Sequence, residues 1–487
     1  MKSDWPEFQV SELEYQGKLL VQDGNHGEYR PRKLEFCDNG IAFIRAADFS
    51  GSAVNFREAE KINSTAFNRI RKGIGRDLDT ILSTKGTVGK IAFVPQGSPE
   101  FVCSPQTSFW RSLDKAFLLP EFLYYEMQSS FFINQILSRQ GETDMAAYLS
   151  LTSQRGMYIR VPDIGTQKEV VKSLSCIDKK IKIDDDINQT LEQIAQAIFK
   201  SWFVDFEPVK AKIAALEAGG SEEDALLAAM RAISGKGEAE LTRLQAEQPE
   251  QYAELRATAE LFQSAMQDSE LGEIPEGWTI APFSSIARLD TTSVKPAQDP
   301  EKVWEHYSIP AFDEGATPAF ETGADIKSNK YKVYPTAVLS SKLNPHFPRS
   351  WIPDVQNPGA AICSTEFMQF VPLEPQHRAF IAGMITSEPF QSGIMMRVTG
   401  STGSRQRAQP KQVAAMDVTL PKSELRAVYS QHTEAMYRMQ SKNIWQARSL
   451  ASLRDTLLPK LLSGELSVID AENQLTEEKL MPREEIN

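Results

Sequence analysis

The sequence is poor in the residues that build redox and metal sites. Four cysteines and five histidines occur among 487 residues, and no two cysteines form a CxxC pair. This spacing predicts reduced, unpaired thiols rather than a disulfide framework or a zinc site. The chain also lacks an apolar run of 18 residues and a charged start followed by an apolar stretch. These absences argue against a membrane span and a secretory signal.

Familiar catalytic motifs are missing as well. The sequence contains no GxxxxGK[ST] phosphate loop, no HExxH and no GxSxG, and no GxGxxG follows a predicted strand. Residues 344–346 and 357–359 both depart from the Asn-Pro-Pro-aromatic motif of amino-methyltransferases. Asp205, Glu207 and Lys210 follow a predicted helix rather than a strand edge, which disfavours a nuclease metal site. The pattern favours a binding protein over an enzyme.

The net charge of −12 is concentrated in two segments. Residues 203–276 hold 16 acidic and 6 basic side chains, and residues 467–487 hold 6 and 2. The rest of the chain is nearly neutral, so a basic face on it would not be diluted by these segments. An acidic total therefore does not exclude a nucleic-acid partner.

A long helix is predicted from Thr166 to Trp202. Thr166 and Glu169 have the spacing of a capping box, and no Gly or Pro interrupts the stretch before Pro208. Asp184 and Asn188 are the only polar members of a seam of apolar residues spaced by three and four positions. At about 1.5 Å per residue the helix spans roughly 50 Å, which is enough to hold two bodies apart.

The segments around this helix form a repeat. Residues 81–85 match residues 338–342, residues 102–104 match 362–364, and 161–162 match 420–421, with offsets of 257, 260 and 259 residues. We therefore predict a tandem duplication of a globular body plus a long helix. A second amphipathic helix runs from Ser423 to about Leu458, and its end is indicated by Pro459 and Gly464.

The predicted fold is α+β, with two tandem-repeat bodies, each followed by a long helix. The two helices are expected to pair as an antiparallel coiled coil with pseudo-twofold symmetry. Polar residues near mid-helix either fix the register of this pair or face water. The predicted segments are a first body at 1–165, a central helix at 166–208, an acidic helical connector at 209–271, a second body at 272–422, a C-terminal helix at 423–466 and a flexible acidic tail at 467–487.

Equivalent loops of the two bodies supply candidate DNA contacts. A Gly-rich loop lets backbone amides and lysines approach phosphates, and Arg and Gln can contact guanine and adenine bidentately. An exposed Arg-Gln loop is also an ordinary surface feature. The candidates are Lys85, Thr87, Lys90, Gln154 and Arg155 in the first body, and Ser340, Ser341, Lys342, Arg349, Arg405, Gln406 and Arg407 in the second.

Two signatures make the chain similar to a known family. INQTLEQIAQAIFKSWFVDFEPVKAK ends the first long helix, and LLPKLLSGEL ends the second. IPEGW opens the second body, and ILSTKGTVGKIAFVP lies inside the first. Together they resemble the specificity subunits of type I restriction-modification systems over nearly the whole chain.

The resemblance implies that each body is a target recognition domain for one half of a bipartite double-stranded DNA sequence. It implies two modification subunits that methylate adenine with S-adenosylmethionine, and restriction subunits that use ATP and Mg. It places the complex in the cytoplasm of a bacterium or archaeon, with no cofactor, metal or catalytic residue in this chain. The connector is longer and more helical than the short link usual in the family.

Apolar residues near the helix ends have two possible roles. They either pack inside the coil and against a body, or dock the modification subunit. The residues are Ile198, Phe199, Trp202, Phe203 and Phe206 on the first helix and Leu450, Leu453 and Leu457 on the second. A scaffold that holds two protein-binding bodies, and a self-contained restriction or modification enzyme, are the alternative functions; the missing motifs disfavour the enzyme.

Overall fold

A computed structural model describes residues 5–24, 27–51, 53–139, 147–399 and 406–462. The chain forms two compact units, of which the first contains residues 1–181 and 449–487 and the second contains residues 182–448. The first unit therefore combines the first body with chain from both long helices. The second unit combines the second body with the connector and the remaining parts of these helices.

Short strands and helices alternate in the first body. Its helices are α1 (Val10–Tyr15), α2 (Ser64–Arg69), α3 (Pro120–Met127), α4 (Ser130–Arg139) and α5 (Leu151–Arg155). Its strands are β1 (Glu7–Gln9), β2 (Leu19–Asp23), β3 (Phe36–Cys37), β4 (Ile41–Ile44), β5 (Phe49–Ser50), β6 (Ala53–Val54), β7 (Lys61–Ile62), β8 (Ile74–Gly75), β9 (Thr80–Ser83), β10 (Ile91–Phe93), β11 (Phe101–Cys103), β12 (Thr107–Ser112) and β13 (Tyr158–Arg160).

Two sheets organise the first body. One has the order β2-β12-β9-β10-β6-β5 and the other β3-β7-β4-β11-β8, while β1 pairs with β13. In the first sheet, β12 and β9 run antiparallel with Ser108 opposite Leu82. In the second, β11 runs parallel to β4 with Val102 opposite Phe43. Apolar residues of β9, β11 and β12, including Ile81 and Phe109, form a buried core between the strands.

The long helices and the connector follow as further helical segments. They are α6 (Ile164–Phe203), α7 (Glu207–Glu217), α8 (Glu222–Ser234), α9 (Glu238–Glu247) and α10 (Pro249–Glu260). The connector helices share an apolar core of their own, made of Leu226, Ala229, Met230, Leu241 and Ala259. This segment is therefore a packed helical module rather than a solvated link.

The second body repeats the strand and helix pattern. Its strands are β14 (Met266–Gln267), β15 (Ile274–Pro275), β16 (Thr279–Pro282), β17 (Ala287–Asp290), β18 (Ser293–Val294), β19 (Val303–Tyr307), β20 (Ala319–Thr322), β21 (Lys330–Lys332), β22 (Val338–Ser341), β23 (Ser350–Trp351), β24 (Ala361–Cys363), β25 (Phe367–Pro372), β26 (Val398–Thr399), β27 (Arg407–Ala408) and β28 (Asp417–Leu420). Its helices are α11 (Ile309–Asp313), α12 (Arg378–Thr386), α13 (Glu388–Met395) and α14 (Pro410–Ala414), and α15 (Ser423–Leu462) follows.

Sheet topology confirms the predicted duplication. The order β17-β25-β22-β23 repeats β2-β12-β9-β10, and β21-β24-β19 repeats β8-β11-β4. In both bodies the strand before the long helix pairs with a strand near the start of the body, β13 with β1 and β28 with β16. The α+β assignment and the repeat of body plus long helix are both confirmed.

The start of the first long helix differs from the prediction. Helix α6 begins at Ile164, and Asp163 rather than Thr166 caps it. The Asp163 carboxylate accepts hydrogen bonds from the backbone N–H of Gly165 at 2.9 Å and of Thr166 at 3.1 Å. Because Asp163 already satisfies these donors, the Thr166–Glu169 capping box is wrong.

The second long helix continues past Pro459, the first of its two predicted end signals. Helix α15 contains Pro459 and reaches Leu462, after which the described residues stop. Proline removes one helical hydrogen bond, but Leu457, Leu458 and Leu461 on either side of it are buried. Burial of these side chains keeps the helical path, so the prediction that Pro459 ends the helix is wrong.

The two long helices pair within each unit. In the first unit, Leu457 and Leu461 share a core with Leu174 and Ile177. In the same unit, Asp178 accepts hydrogen bonds from Tyr125 Oη at 2.7 Å and from Arg454 Nη1 at 2.9 Å. These contacts tie both helices to α3 of the first body.

The direction of pairing is visible inside the second unit. Asn188 of α6 contacts Asn443 of α15, whereas Ala195, seven residues further along α6, accepts a hydrogen bond from Tyr429, fourteen residues earlier in α15. The helices therefore run antiparallel, as predicted. Asn188 and Asn443 hydrogen-bond to each other, which supports a register role for these two polar residues.

Candidate nucleic-acid interface

Three chain segments meet at one edge of the first body. We name residues 84–87, 104–107 and 147–149 the first loop cluster. The backbone N–H of Thr84 donates to Gln106 O at 2.7 Å, and that of Leu149 donates to Thr84 O at 2.9 Å. Lys85 and Tyr148 form an isolated β-bridge. These backbone contacts hold three loops in one arrangement.

The second body contains the same arrangement. We name residues 342–345, 364–367 and 406–408 the second loop cluster. The backbone N–H of Lys342 donates to Glu366 O at 2.9 Å, and that of Ala408 donates to Lys342 O at 2.9 Å. Leu343 and Arg407 form the equivalent β-bridge.

Two further details show that the clusters match residue by residue. Gly86 has φ +83° and Asn344 has φ +49°, so both adopt the left-handed conformation that glycine and asparagine tolerate. In the turns that follow, Gln106 N donates to the hydroxyl of residue 104 at 3.3 Å and Glu366 N to that of residue 364 at 3.2 Å. Gln106 and Glu366 therefore occupy the same place.

This correspondence corrects the alignment made from sequence. The prediction paired Lys85 with Lys342, but the hydrogen bonds pair Thr84 with Lys342 and Lys85 with Leu343. Tyr148 corresponds to Arg407. The offset differs by one residue because similar Ser and Lys residues occur at neighbouring positions in the two loops, and only the backbone contacts distinguish them.

Cationic and aromatic side chains surround the first loop cluster. A cavity of about 790 Å³ is lined by Arg30, Pro31, Phe36, Phe43, Arg45, Lys85, Ser104, Pro105, Gln106 and Tyr148. Lys85 and Gln106 are exposed. Tyr148 is 38% exposed, and burial of its hydroxyl raises its pKa. Such a mixture of cations, an amide and aromatic faces suits contact with phosphates and base edges.

The loop that carries Arg30 is held by an ion pair. Arg69 donates to both Glu35 oxygens, at 2.7 and 2.6 Å, and to the Arg30 carbonyl at 3.2 Å. Glu35 also accepts from the backbone N–H of Arg32 at 2.7 Å. The Arg69 side chain, assisted by this backbone bond, lowers the pKa of Glu35 to about 2.

The second loop cluster carries a different set of groups. Arg407 donates from Nε and Nη2 to the two oxygens of Glu366, at 3.0 and 3.1 Å. Gln406 Oε1 lies 2.6 Å from His346 Nε2. The same backbone frame thus presents an amide and a phenol in one body, and a carboxylate and a guanidinium in the other.

Three predicted contacts lie where the prediction placed them. Lys85, Thr87 and Lys90 are exposed on the loop between β9 and β10. The backbone N–H of Lys90 donates to Ser83 Oγ at 2.8 Å, which closes the loop. DNA contact by these side chains stays a prediction.

Gln154 does not face solvent. It is fully buried, its side-chain oxygen accepts from Ser108 Oγ at 2.7 Å and from Trp110 Nε1 at 3.1 Å, and its amide contacts Asp23 at 3.4 Å. This burial argues against the predicted DNA contact, because the side chain satisfies buried polar groups. The neighbouring Arg155 is exposed and pairs with Glu14 at 2.6 Å.

Two serines of the second body are also buried. Ser340 is 2% and Ser341 is 4% exposed, and Ser341 Oγ donates to Leu343 O at 3.0 Å. Their burial within strand β22 argues against the predicted DNA contacts. Lys342 is half-buried, and Arg349 forms a bidentate pair with Asp313 at 2.6 and 3.0 Å.

The remaining predicted residues divide between surface and core. Gln406 and Arg407 lie in the second loop cluster, and Arg405 lies outside the described residues.

Phe199, Trp202 and Phe203 are buried in the core of the second unit, with Ile198 and Phe206 packed against it. Burial favours the packing role for Phe199, Trp202 and Phe203. Ile198 and Phe206 are only half-buried, so the docking alternative stays a prediction. In the first unit, Leu457 is buried, and Leu450 and Leu453 pack against the same core.

Sequence reasoning missed Gln106, Tyr148 and Glu366. The signal for two of them was present, since the repeat match at residues 102–104 and 362–364 lies just before Gln106 and Glu366. Tyr148 carried no such signal, because the segment before α5 resembles its counterpart in backbone contacts and not in side chains.

The part of the chain that the structure describes shows neither a metal-binding cluster nor a membrane-spanning helix. Across residues 5–462, gaps excepted, no cluster of three or more His, Cys, Asp or Glu side chains is arranged to hold a metal ion. No helix in those same ranges combines the length and apolar character needed to cross a bilayer.

Comparison with known proteins points to one family. The family model of the type I restriction modification DNA specificity domain matches residues 20–193. The type I restriction enzyme HindI specificity subunit of Haemophilus influenzae is 27% identical over 95% of this chain and 100% of its own length. The MjaIX specificity subunit of Methanocaldococcus jannaschii is 28% identical over 26% of this chain and 30% of its own.

A solved structure shows a weaker likeness. The type I restriction-modification S subunit from M. genitalium is 13% identical, with a TM-score of 0.49 over 94% of this chain and 96% of that one.

Proposed function

Because this chain belongs to the family of type I restriction-modification specificity subunits, we propose that it recognises a bipartite DNA sequence through its two loop clusters. It is a non-catalytic DNA-specificity subunit that assembles with other subunits. In the proposal each body contacts one half of the target, and the paired helices α6 and α15 set the length of the unread spacer. Residues 1–165 and 272–422 are the proposed target recognition domains.

The observation that supports this proposal is the pair of matching loop clusters. The same backbone hydrogen bonds hold Gln106 and Tyr148 in one body and Glu366 and Arg407 in the other. Base edges are distinguished by their patterns of donors and acceptors. Two domains that recognise different half-sites can therefore share one backbone arrangement but need different polar side chains on it. A scaffold for two identical protein partners would not require this difference.

The chemistry of the complex belongs to partner subunits in this proposal. Two modification subunits bind S-adenosylmethionine and methylate adenine, and restriction subunits supply ATP hydrolysis and Mg-dependent cleavage. The complex works in the cytoplasm of a bacterium or archaeon. Because Phe199, Trp202 and Phe203 are buried, the proposal assigns docking of the modification subunits to the half-buried Ile198 and Phe206 and to exposed parts of α6, α15 and the bodies.

The test is co-expression of this chain with the modification subunit of the same system. Modification-sensitive sequencing of the host genome should show methylated adenines in a motif of two half-sites separated by an unspecified spacer. A continuous motif would contradict the two-reader proposal. Binding of the purified complex to random duplex DNA should weaken as salt rises, because phosphate contacts release counterions. A slope near zero would favour the protein-binding scaffold instead.

A further inference from the structure

The Glu366–Arg407 pair has a geometry suited to recognition of one base. Arg407 Nε and Nη2 donate to the two Glu366 oxygens at 3.0 and 3.1 Å, so one edge of the guanidinium is fully engaged. A guanidinium has five N–H donors in a rigid plane. The far end therefore keeps two parallel N–H groups, one on Nη1 and one on Nη2, directed away from the carboxylate.

Guanine offers the complementary pattern. In the major groove its O6 and N7 atoms are adjacent acceptors, and bidentate donation from arginine is the commonest specific contact to this base. Adenine has a donor amino group where guanine has O6, so it would face one of the two N–H groups with another donor. The free end of Arg407 thus discriminates guanine from adenine by hydrogen-bond polarity.

The backbone holds both partners at the surface of the second loop cluster. Arg407 is bridged to Leu343, and Glu366 is anchored by its N–H to the Ser364 hydroxyl at 3.2 Å. The Arg407 side chain is 45% exposed, whereas that of Glu366 is 26% exposed. The guanidinium is therefore the more accessible group of this pair.

Folding stability does not account for this pair. Exposed ion pairs contribute roughly 0–1 kcal/mol to stability, so the fold does not depend on it. Arg349 of the same body also forms a bidentate pair, with Asp313, but its side chain is only 16% exposed. Among these two arginines, Arg407 combines a fixed orientation with an accessible end.

We propose that Arg407 selects a guanine in the half-site recognised by the second body, and that Glu366 is a positioning residue that orients the guanidinium for it. The inference rests on the proposed function and adds a base identity to it. Glu366 contacts no base in this scheme. Its role is to keep Arg407 in one conformation, which lowers the entropy lost when the guanine contact forms.

The experiment uses the complex of this chain with its modification subunit. Duplexes carry each of the four base pairs in turn at every position of the wild-type motif, and competition binding gives the discrimination at each position. For wild type, one half-site should contain a guanine that is preferred by roughly 5- to 150-fold over other bases. Arg407→Gln should reduce that preference at this one position and leave the other half-site unchanged.

Glu366→Gln tests the positioning role. It keeps Arg407 and its charge, so overall affinity should change little while discrimination falls part of the way at the same position. Arg256→Gln is the matched control, because Arg256 also forms a bidentate pair, with Glu223 at the surface of the connector. This control should keep the wild-type discrimination at all positions.

The outcomes separate this inference from the proposed function. If wild type shows a bipartite motif but Arg407→Gln discriminates as wild type does, the role of Arg407 is refuted. If Arg407→Gln has the expected effect and Glu366→Gln keeps the wild-type discrimination between bases at that position, only the positioning role is refuted. A wild-type complex without a bipartite motif would refute the proposed function itself.

Discussion

Asn443 donates its side-chain amide to the side-chain oxygen of Asn188 at 2.9 Å, inside the helix pair of the second unit. Gln440 adds a hydrogen bond from Nε2 to the Asn188 carbonyl at 2.9 Å. A polar pair in an otherwise apolar seam favours one register, because any shift leaves buried amides without partners. The pair is the point at which the two long helices are aligned.

Replacing one member of this pair should be costly. Asn443→Leu removes a donor and leaves the Asn188 oxygen unsatisfied, which should lower the free energy of unfolding by about 1–3 kcal/mol. The double variant Asn188→Leu/Asn443→Leu should recover most of this loss. Denaturant unfolding measures both, with Met439→Ala, 47% exposed on the same helix, as the control. Equal stabilities of Asn443→Leu and the control would refute the register role.

Gly86, the residue of the first loop cluster with left-handed backbone geometry, should tolerate some substitutions and not others. Gly86 has φ +83°, and a Cβ placed there would meet nothing within 4 Å. Gly86→Asn should therefore fold nearly as well as wild type, since Asn344 occupies the equivalent position. Gly86→Val should lose about 1–2 kcal/mol through backbone strain. Thermal unfolding of the two variants checks the order, and a valine variant as stable as the asparagine variant would contradict it.

Gln106 is exposed and lines the cavity of the first loop cluster, which predicts a base contact in the first body. A glutamine side chain pairs bidentately with adenine. Gln106→Ala should therefore reduce the preference for adenine at one position of the half-site recognised by the first body. The other half-site should be unaffected. Sequencing of methylated motifs after co-expression measures this, with Gln245→Ala on an exposed face of α9 as the control. If Gln106→Ala instead reduced the base preference in the same half-site that Arg407→Gln alters, the assignment of one half-site to each body would be refuted.

Acid should remove the contribution of the Glu35–Arg69 pair. The pKa of Glu35 is lowered to about 2 by Arg69, from a usual value of 4.5. A carboxyl with a depressed pKa stabilises the fold above its unfolded pKa, and this stabilisation is lost as the pH falls from about 4.5 towards 2. Glu35→Gln should therefore melt below wild type at pH 7, and the difference should shrink in melting curves at pH 4 and 3. A difference that stayed constant with pH would contradict the assignment.

The spacer role predicts a change in motif length. One heptad inserted into each of α6 and α15 adds about 10 Å of helix, which corresponds to roughly 3 base pairs. The spacer of the methylated motif should become longer, and the sequences of both half-sites should stay the same. Insertion into α6 alone should disrupt the pairing and lower the melting temperature. Altered half-sites in the double insertion would show that the helices do not set the spacing.

Local patterns predicted the helices and the repeat well, because these depend on periodicity that sequence displays directly. The seam of α6, the breaks between connector helices and the strands around residues 81–83 are of this kind. Side-chain exposure was predicted less well. Gln154 and Ser341 look like surface residues, but Trp110 and the strand β22 enclose them, and such contacts join residues distant in sequence. The cap of α6 at Asp163 was not predicted, because Thr166, three residues later, also has the sequence signal of a helix cap.

The composition of the first unit has a consequence for synthesis. Its core needs Leu457 and Leu461, but residues 182–448 of the second unit, about 270 residues, lie between the two parts of the first unit. At roughly 5–20 residues per second a ribosome needs about 15–50 s to cover that distance. During this time the apolar seam around Leu174 and Ile177 emerges without its partner. The second unit is contiguous, so it can complete its fold first, and the apolar seam of α6 is covered only once the last helix has been made.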